Sequence, residues 1–276
     1  MASMIFDAIL AWGMRLMDAG YVPDFIIRAC SRMLIAQTLK DEGRGGTQAQ
    51  TERFERLVEE LRRMPIAIKT DDANEQHYEV PTEFFLKCLG PRLKYSCCLY
   101  EDPSDTLAQA EERMFACYCE RAHLCDGQHI LDLGCGWGSL SLYVAEKYRG
   151  AKVTALSNSS TQREFIEAQA KAKGLSNLRV HTGDVSVFDG FGGRQFDRVV
   201  SIEMFEHMKN YGRLLEKVAS WLKPGGLLFV HIFSHKQFCY HYEVKSASDW
   251  MTKYFFEGGT MPSHSLLLHF QRNLVW

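Results

Sequence analysis

The chain has 276 residues, a formal charge of −2 and a charged fraction of 24%. That length allows one full core with a substantial appendage, and the near-neutral balance gives no bulk pull toward nucleic acid or an anionic membrane. Nine cysteines, an odd number, include Cys97–Cys98 and Cys117-x-Cys119, which lack zinc spacing; they read as reduced thiols of a cytoplasmic protein with no metal site.

The apolar start is short and broken by Asp7 and Arg15, so it lacks the pattern of a secretory signal, and no stretch reaches the length of an integral membrane span. Residues 4–40 read as two helices parted at Gly20-Tyr-Val-Pro23, with Phe25, Ile26, Cys30, Met33 and Leu34 at helical spacing. A charged helix near 48–63 carries Phe54, Leu57, Val58 and Leu61 on one face and a solvated face opposite. A polar passage leads to His77-Tyr-Glu-Val-Pro-Thr-Glu-Phe-Phe85, the start of another helix, and a further helix lies near 105–122.

From 129 the rhythm becomes strand, helix, strand: 129–133, 139–148, 152–156, 161–173, 178–182, 196–202, 211–222 and 226–233. Lys223-Pro-Gly-Gly226 reads as the break before the last strand. Alternation of this kind predicts an α/β fold, a Rossmann-like core with a mainly parallel sheet covered on both faces. The expected division is a helical N-terminal cap and substrate-side segment, 1–120, followed by a cofactor-binding core, 121–276. Residues Leu266 to Trp276 carry no stop signal and read as part of a longer chain.

The cofactor is legible in the turn Ile130-Leu-Asp-Leu-Gly-Cys-Gly-Trp-Gly138, where glycines let the backbone approach a ligand at a helix start. Dinucleotide sites use Gly-x-Gly-x-x-Gly with an acid at the end of the second strand. Here the pattern is Gly134-x-Gly136-x-Gly138, and the second strand ends in Leu156-Ser-Asn-Ser with no acid. Asp132 before the turn and Asp184 after the third strand instead match the pattern of S-adenosylmethionine-dependent methyltransferases.

His77-Tyr-Glu-Val-Pro, Tyr95-Ser-Cys97, the glycine turn and Ser201-Ile-Glu-Met-Phe-Glu-His207 together resemble the cyclopropane fatty acid synthase superfamily. Within it, Arg63-Met-Pro-Ile-Ala67, Glu206-His-Met-Lys-Asn-Tyr211 and Tyr240-His-Tyr-Glu243 look most like coclaurine-type N-methyltransferases, which act on benzylisoquinoline amines. The resemblance implies that Tyr95, Ser96, Gly134 and Gly136 contact the methionine end of S-adenosylmethionine. It implies likewise that Asn158 and Gln162 take the ribose and that Asp184 and Val185 take the adenine.

Two chemistries meet at the 203–207 segment. Cyclopropane synthases resemble one another in holding a bicarbonate base, and Cys97, Glu206 and His231 fall on those positions, so a lipid acyl chain stands as the alternative substrate. The position of Glu203 is small in that branch; in the N-methyltransferases it is an acid paired with the histidine four residues on, here His207. The resemblance thus favours a small amine, with Glu203, His207 and Glu206 as catalytic residues. Glu79 is implied near the amine, and Tyr78 and Phe233 are candidates for an aromatic pocket wall. The structural alternatives are that Glu203, Glu206 and Glu79 cap helix starts and that the histidines and aromatics are core residues.

Overall fold

The computed structural model describes residues 12–68, 82–244 and 249–271. Helical residues 12–18 (α1) are followed by α2 (Asp24–Glu42), α3 (Gly46–Arg63), α4 (Thr82–Cys88) and α5 (Leu107–Arg121). The sheet segments then alternate with helices: β1 (His129–Leu133), α6 (Ser139–Lys147), β2 (Lys152–Ser157), α7 (Ser160–Ala172), β3 (Leu178–Thr182), β4 (Phe196–Ile202), α8 (Tyr211–Trp221) and β5 (Leu222–His231). A short antiparallel pair, β6 (Tyr240–His241) with β7 (Thr260–Met261), follows.

The five strands are all parallel, in the order β3-β2-β1-β4-β5. This is the Rossmann-like α/β arrangement that the alternation predicts. Side chains on successive strand residues point to opposite faces, and the strands divide accordingly. Leu131, Leu133, Leu156 and Val199 join one core with α3 and α8, whereas Ile130, Val153, Ala155 and Val200 join another with α5, α6 and α7. Helix starts are set by side-chain caps: Thr106 and Gln109 form a capping box on α5, Ser159 caps α7 and Asn210 caps α8.

Two expectations need correction. The strand placed at 226–233 begins at Leu222 and ends at His231, so Pro224, Gly225 and Gly226 lie within it. Pairing with β4 is irregular there, stepping from Phe196↔Leu222 to Arg198↔Leu227. That is the edge position at which a sheet accommodates Pro and Gly. The apolar residues of α2 do not form a core face either: none of its residues is buried, and Phe25 and Met33 are 72% and 69% exposed. Helix α3 behaves as its periodicity predicts, burying Leu57, Val58 and Leu61.

Candidate active site

Order reverses between β1 and β4, and the loops leaving the carboxyl ends of the strands converge at that switch point. Leu133, Gly134 and Gly136 at the end of β1, Leu156, Ser157, Asn158 and Gln162 around the end of β2, and Gly183, Asp184 and Val185 after β3 line one cleft. Glu203, Met204, His207 and Met208 after β4 complete its other wall, with Ile68, Glu257 and Gly259. The backbone turns into this cleft because Gly134 sits at φ +82°, where a Cβ would fall 2.6 Å from Met204 Cγ. Gly138, at φ +74°, lets α6 start against Ile166.

Six of the nine predicted cofactor residues therefore share one cleft: Gly134, Gly136, Asn158, Gln162, Asp184 and Val185. Gln162 is buried; its Oε1 accepts from Ser157 Oγ at 2.6 Å, while its Nε2 has no hydrogen-bond partner among the described residues. A buried amide donor left open in a cleft calls for a polar ligand group. The narrow glycine cradle and this open donor fit an S-adenosylmethionine molecule.

The other three lie apart from that lining. Asp132 is wholly buried, accepts from Ser141 Oγ at 2.6 Å and has its pKa pushed up to about 6 by burial. It ties β1 to α6. Tyr95 stacks edge-on against Phe85, which in turn packs on Trp137 of the glycine turn. Ser96 accepts from Lys94 Nζ.

The acid and imidazole groups gather at the ends of β4 and β5. Glu203 occupies the left-handed region at φ +51°, and its N–H donates to His231 O at 2.8 Å. A non-glycine residue in that conformation is held by its surroundings, as is common at functional sites. Its Oε1 lies 3.7 Å from His231 Nε2, and Cys97 Sγ lies 4.0 Å from the same nitrogen. Burial and the Glu203 charge push the Glu206 carboxyl well above the ordinary range, and its side chain hydrogen-bonds Glu203.

His207 lines the cleft with Glu203, and its ring stacks on Phe256 at 6.1 Å. Phe233 and Tyr242 meet the same Phe256 ring at 5.4 and 5.0 Å. Cys97, Glu203 and His231 thus come together, Glu206 stands behind Glu203, and Phe233 joins an aromatic cluster beside His207. Tyr78 and Glu79, with His77, lie outside the described residues. Sequence reasoning did not single out Glu257, Phe256, Lys94 or Tyr118, which come from segments without a local motif, and it assigned no role to Tyr242 although that residue lies in the Tyr240-His-Tyr-Glu243 run.

A family model described as Mycolic acid cyclopropane synthetase matches residues 67–274. The chain belongs to that family. It is 41% identical over 266 residues to (S)-coclaurine N-methyltransferase of Thalictrum flavum subsp. glaucum, covering 96% of this chain and 73% of that one. It is 40% identical over 259 residues to pavine N-methyltransferase of the same plant, covering 93% and 72%. A crystal structure of coclaurine N-methyltransferase bound to N-methylheliamine and SAH superposes with a TM-score of 0.89 at 39% identity, covering 94% of this chain and 75% of that one. Within the family the chain is coclaurine N-methyltransferase-like, an S-adenosylmethionine-dependent methyltransferase. Among the described residues no helix is long and apolar enough to cross a membrane.

Proposed function

We propose that the chain methylates the nitrogen of a small cyclic amine of benzylisoquinoline type, with Glu203 accepting the amine proton and His207 assisting. The observation that carries this reading is the Glu203 carboxylate on the wall of the cofactor cleft, fixed in a left-handed backbone turn beside a buried acid. The names of the relatives, which act on coclaurine and pavine, support the amine class.

S-adenosylmethionine, when bound, supplies an electrophilic methyl group on a positively charged sulfur. Gly134, Gly136, Asn158, Gln162, Asp184 and Val185 would hold it. The chain's own task is then the nucleophile. An alkylamine with a pKa near 10.4 is neutral in only roughly one molecule per thousand at pH 7. That scarcity adds about 4 kcal/mol to the barrier unless the site removes the proton. Glu203 attracts the ammonium electrostatically, accepts its proton and leaves the lone pair facing the cleft. Glu206, kept protonated by burial, donates to Glu203 and keeps that carboxylate in place. Phe256, with Phe233, Tyr242 and His207 around it, offers flat apolar and π surface suited to an aromatic amine.

Glu203→Ala is expected to lower turnover of a secondary cyclic amine by roughly 100-fold or more at pH 7, and by clearly less at pH 9, where free amine is more abundant. Equal loss at both pH values would remove Glu203 from proton handling. The cluster of Cys97, Glu203 and His231, whose donor atoms lie within 4.8 Å of one another, motivates a second reading: alkylation of an unsaturated acyl chain with a bound bicarbonate as base. The acid that meets Cys97 and His231 is Glu203 rather than Glu206. Labelled cofactor incubated with unsaturated phospholipid, with and without bicarbonate, decides it; label confined to amines eliminates the lipid.

A further inference from the structure

Behind Glu203 stands a buried lysine for which the proposed chemistry has no task. Lys94 is 4% exposed. Its turn is held by Glu111, whose two carboxylate oxygens accept the backbone N–H groups of Arg92 and Lys94, each at 3.1 Å. The Nζ donates to Ser96 Oγ and to the Tyr118 hydroxyl at 3.2 Å, and it lies 4.9 Å from the Tyr118 ring centre and 5.7 Å from that of Phe115. Tyr118, on α5, is 2.8 Å from His231 Nδ1, and the opposite ring nitrogen faces Glu203 and Cys97. Four side chains from four segments thus form one line, from a buried ammonium to the carboxylate on the cleft wall.

The charges at its two ends fix the direction of the Lys94–Tyr118 and Tyr118–His231 hydrogen bonds and the polarity of the 3.7 Å contact with Glu203. An ammonium only donates and a carboxylate only accepts. Tyr118 has a single proton; with its oxygen accepting from Lys94, that proton goes to Nδ1. An imidazole that accepts at Nδ1 carries its hydrogen on Nε2, the nitrogen facing Glu203. The other tautomer would set an Nε2 lone pair against the carboxylate. Ser96 is the competing acceptor for the phenol, but a hydroxyl that already accepts from Lys94 is a weaker one than imidazole.

We propose that Lys94, acting through Tyr118, holds His231 as the Nε2–H tautomer and thereby orients the Glu203 carboxylate; both are positioning residues, and their bearing on turnover rests on Glu203 being the proton acceptor. The surroundings agree. Burial keeps His231 neutral by lowering its pKa, with the Glu203 charge opposing and the Lys94 and Arg121 charges assisting. Burial raises the Tyr118 phenol, so it retains the proton it donates. Burial also lowers Lys94, against Cys97, Cys98, Glu203 and Glu111, which favour its charge, as do the two aromatic faces.

The test is long-range 15N–1H spectroscopy of the histidine-labelled protein, with His231 assigned by its loss in His231→Gln. The wild type is expected to show Nε2 protonated and Nδ1 bare. Lys94→Met and Tyr118→Phe are each expected to shift His231 toward the Nδ1–H form. Both are also expected to lower kcat for a cyclic secondary amine by roughly 10- to 100-fold, as the loss of a hydrogen bond near a charge does, with the KM for S-adenosylmethionine unchanged. An Nδ1–H wild type overturns the proposal even if neither variant folds. A tautomer indifferent to both substitutions overturns it as well. A tautomer that follows Lys94 and Tyr118 in a protein that methylates no amine upholds the hydrogen-bond line and removes the amine reading alone.

Discussion

Glu206 is 2% exposed, its Oε2 has no partner among the described residues, and burial beside Glu203 raises its pKa. Its proton therefore stays on in the native chain at pH values where the unfolded chain, with an ordinary glutamate near 4.3, has released it. The native state then binds more protons, so stability is full below about pH 4 and falls as pH rises toward the native pKa, by about 1.4 kcal/mol per unit. Glu206→Gln carries no such proton. The melting temperature of the variant relative to wild type should rise between pH 5 and pH 8; a constant difference would show that Glu206 is not held neutral. Glu203, Glu206 and His207 could be singled out because they sit in one contiguous segment after a strand, in the run Ser201–His207 that carries the resemblance. Lys94 and Tyr118 were not, because a loop before α5 and the middle of a helix reach His231 only through folding. The expected pairing of Glu203 with His207 captured the cleft they share, but not the imidazole of β5 that the parallel β4–β5 register brings alongside.

At the level of elements, hydrophobic period and the glycine and proline breaks carried most of the reading. The strand runs are five to seven residues of apolar sequence from β1 to β4, and their alternation sorted side chains between two cores as the pleat requires. β5 escaped because Pro-Gly-Gly ordinarily ends a strand, whereas an edge with a register shift tolerates it. The hydrogen bond from Ser141 to Asp132 was equally invisible, since it joins the first turn of α6 to the strand before the glycine turn. It fastens the helix whose start shapes the cofactor cleft. Ser141→Ala leaves a buried carboxylate without its donor and is expected to lower stability by about 1.5–3 kcal/mol. Denaturant melts at pH 8 and pH 5 check this. Asp132 titrates near pH 6 in the native chain, so the loss should be smaller at the lower pH, where the neutral acid no longer needs that donor.

Across the whole molecule, helices α2 and α3 differ in what they contribute. Helix α3 places Leu57, Val58 and Leu61 in the core that α8 and β4 share, with Leu61 fully buried. Asn210, the cap of α8, donates to the carbonyls of Arg62 and Met64 at the end of α3, so the helix and the sheet are joined by polar bonds too. Helix α2 adds no buried side chain, and its internal bonds, such as Gln37 to Asp41, are exposed. Hydrophobic stabilisation follows buried area, not apolar composition. A chain beginning at Asp41 should therefore melt within about 3 °C of the full chain, while Leu61→Ala, which empties a sealed site, should cost about 2–5 kcal/mol. Differential scanning calorimetry of both against the full chain gives the comparison. If removing the first forty residues lowers the melting temperature as far as Leu61→Ala does, then α2 supports the fold through contacts that its exposure does not reveal. If only Leu61→Ala does, the stability of the cleft begins at α3, the first helix to reach the sheet core that carries Glu203.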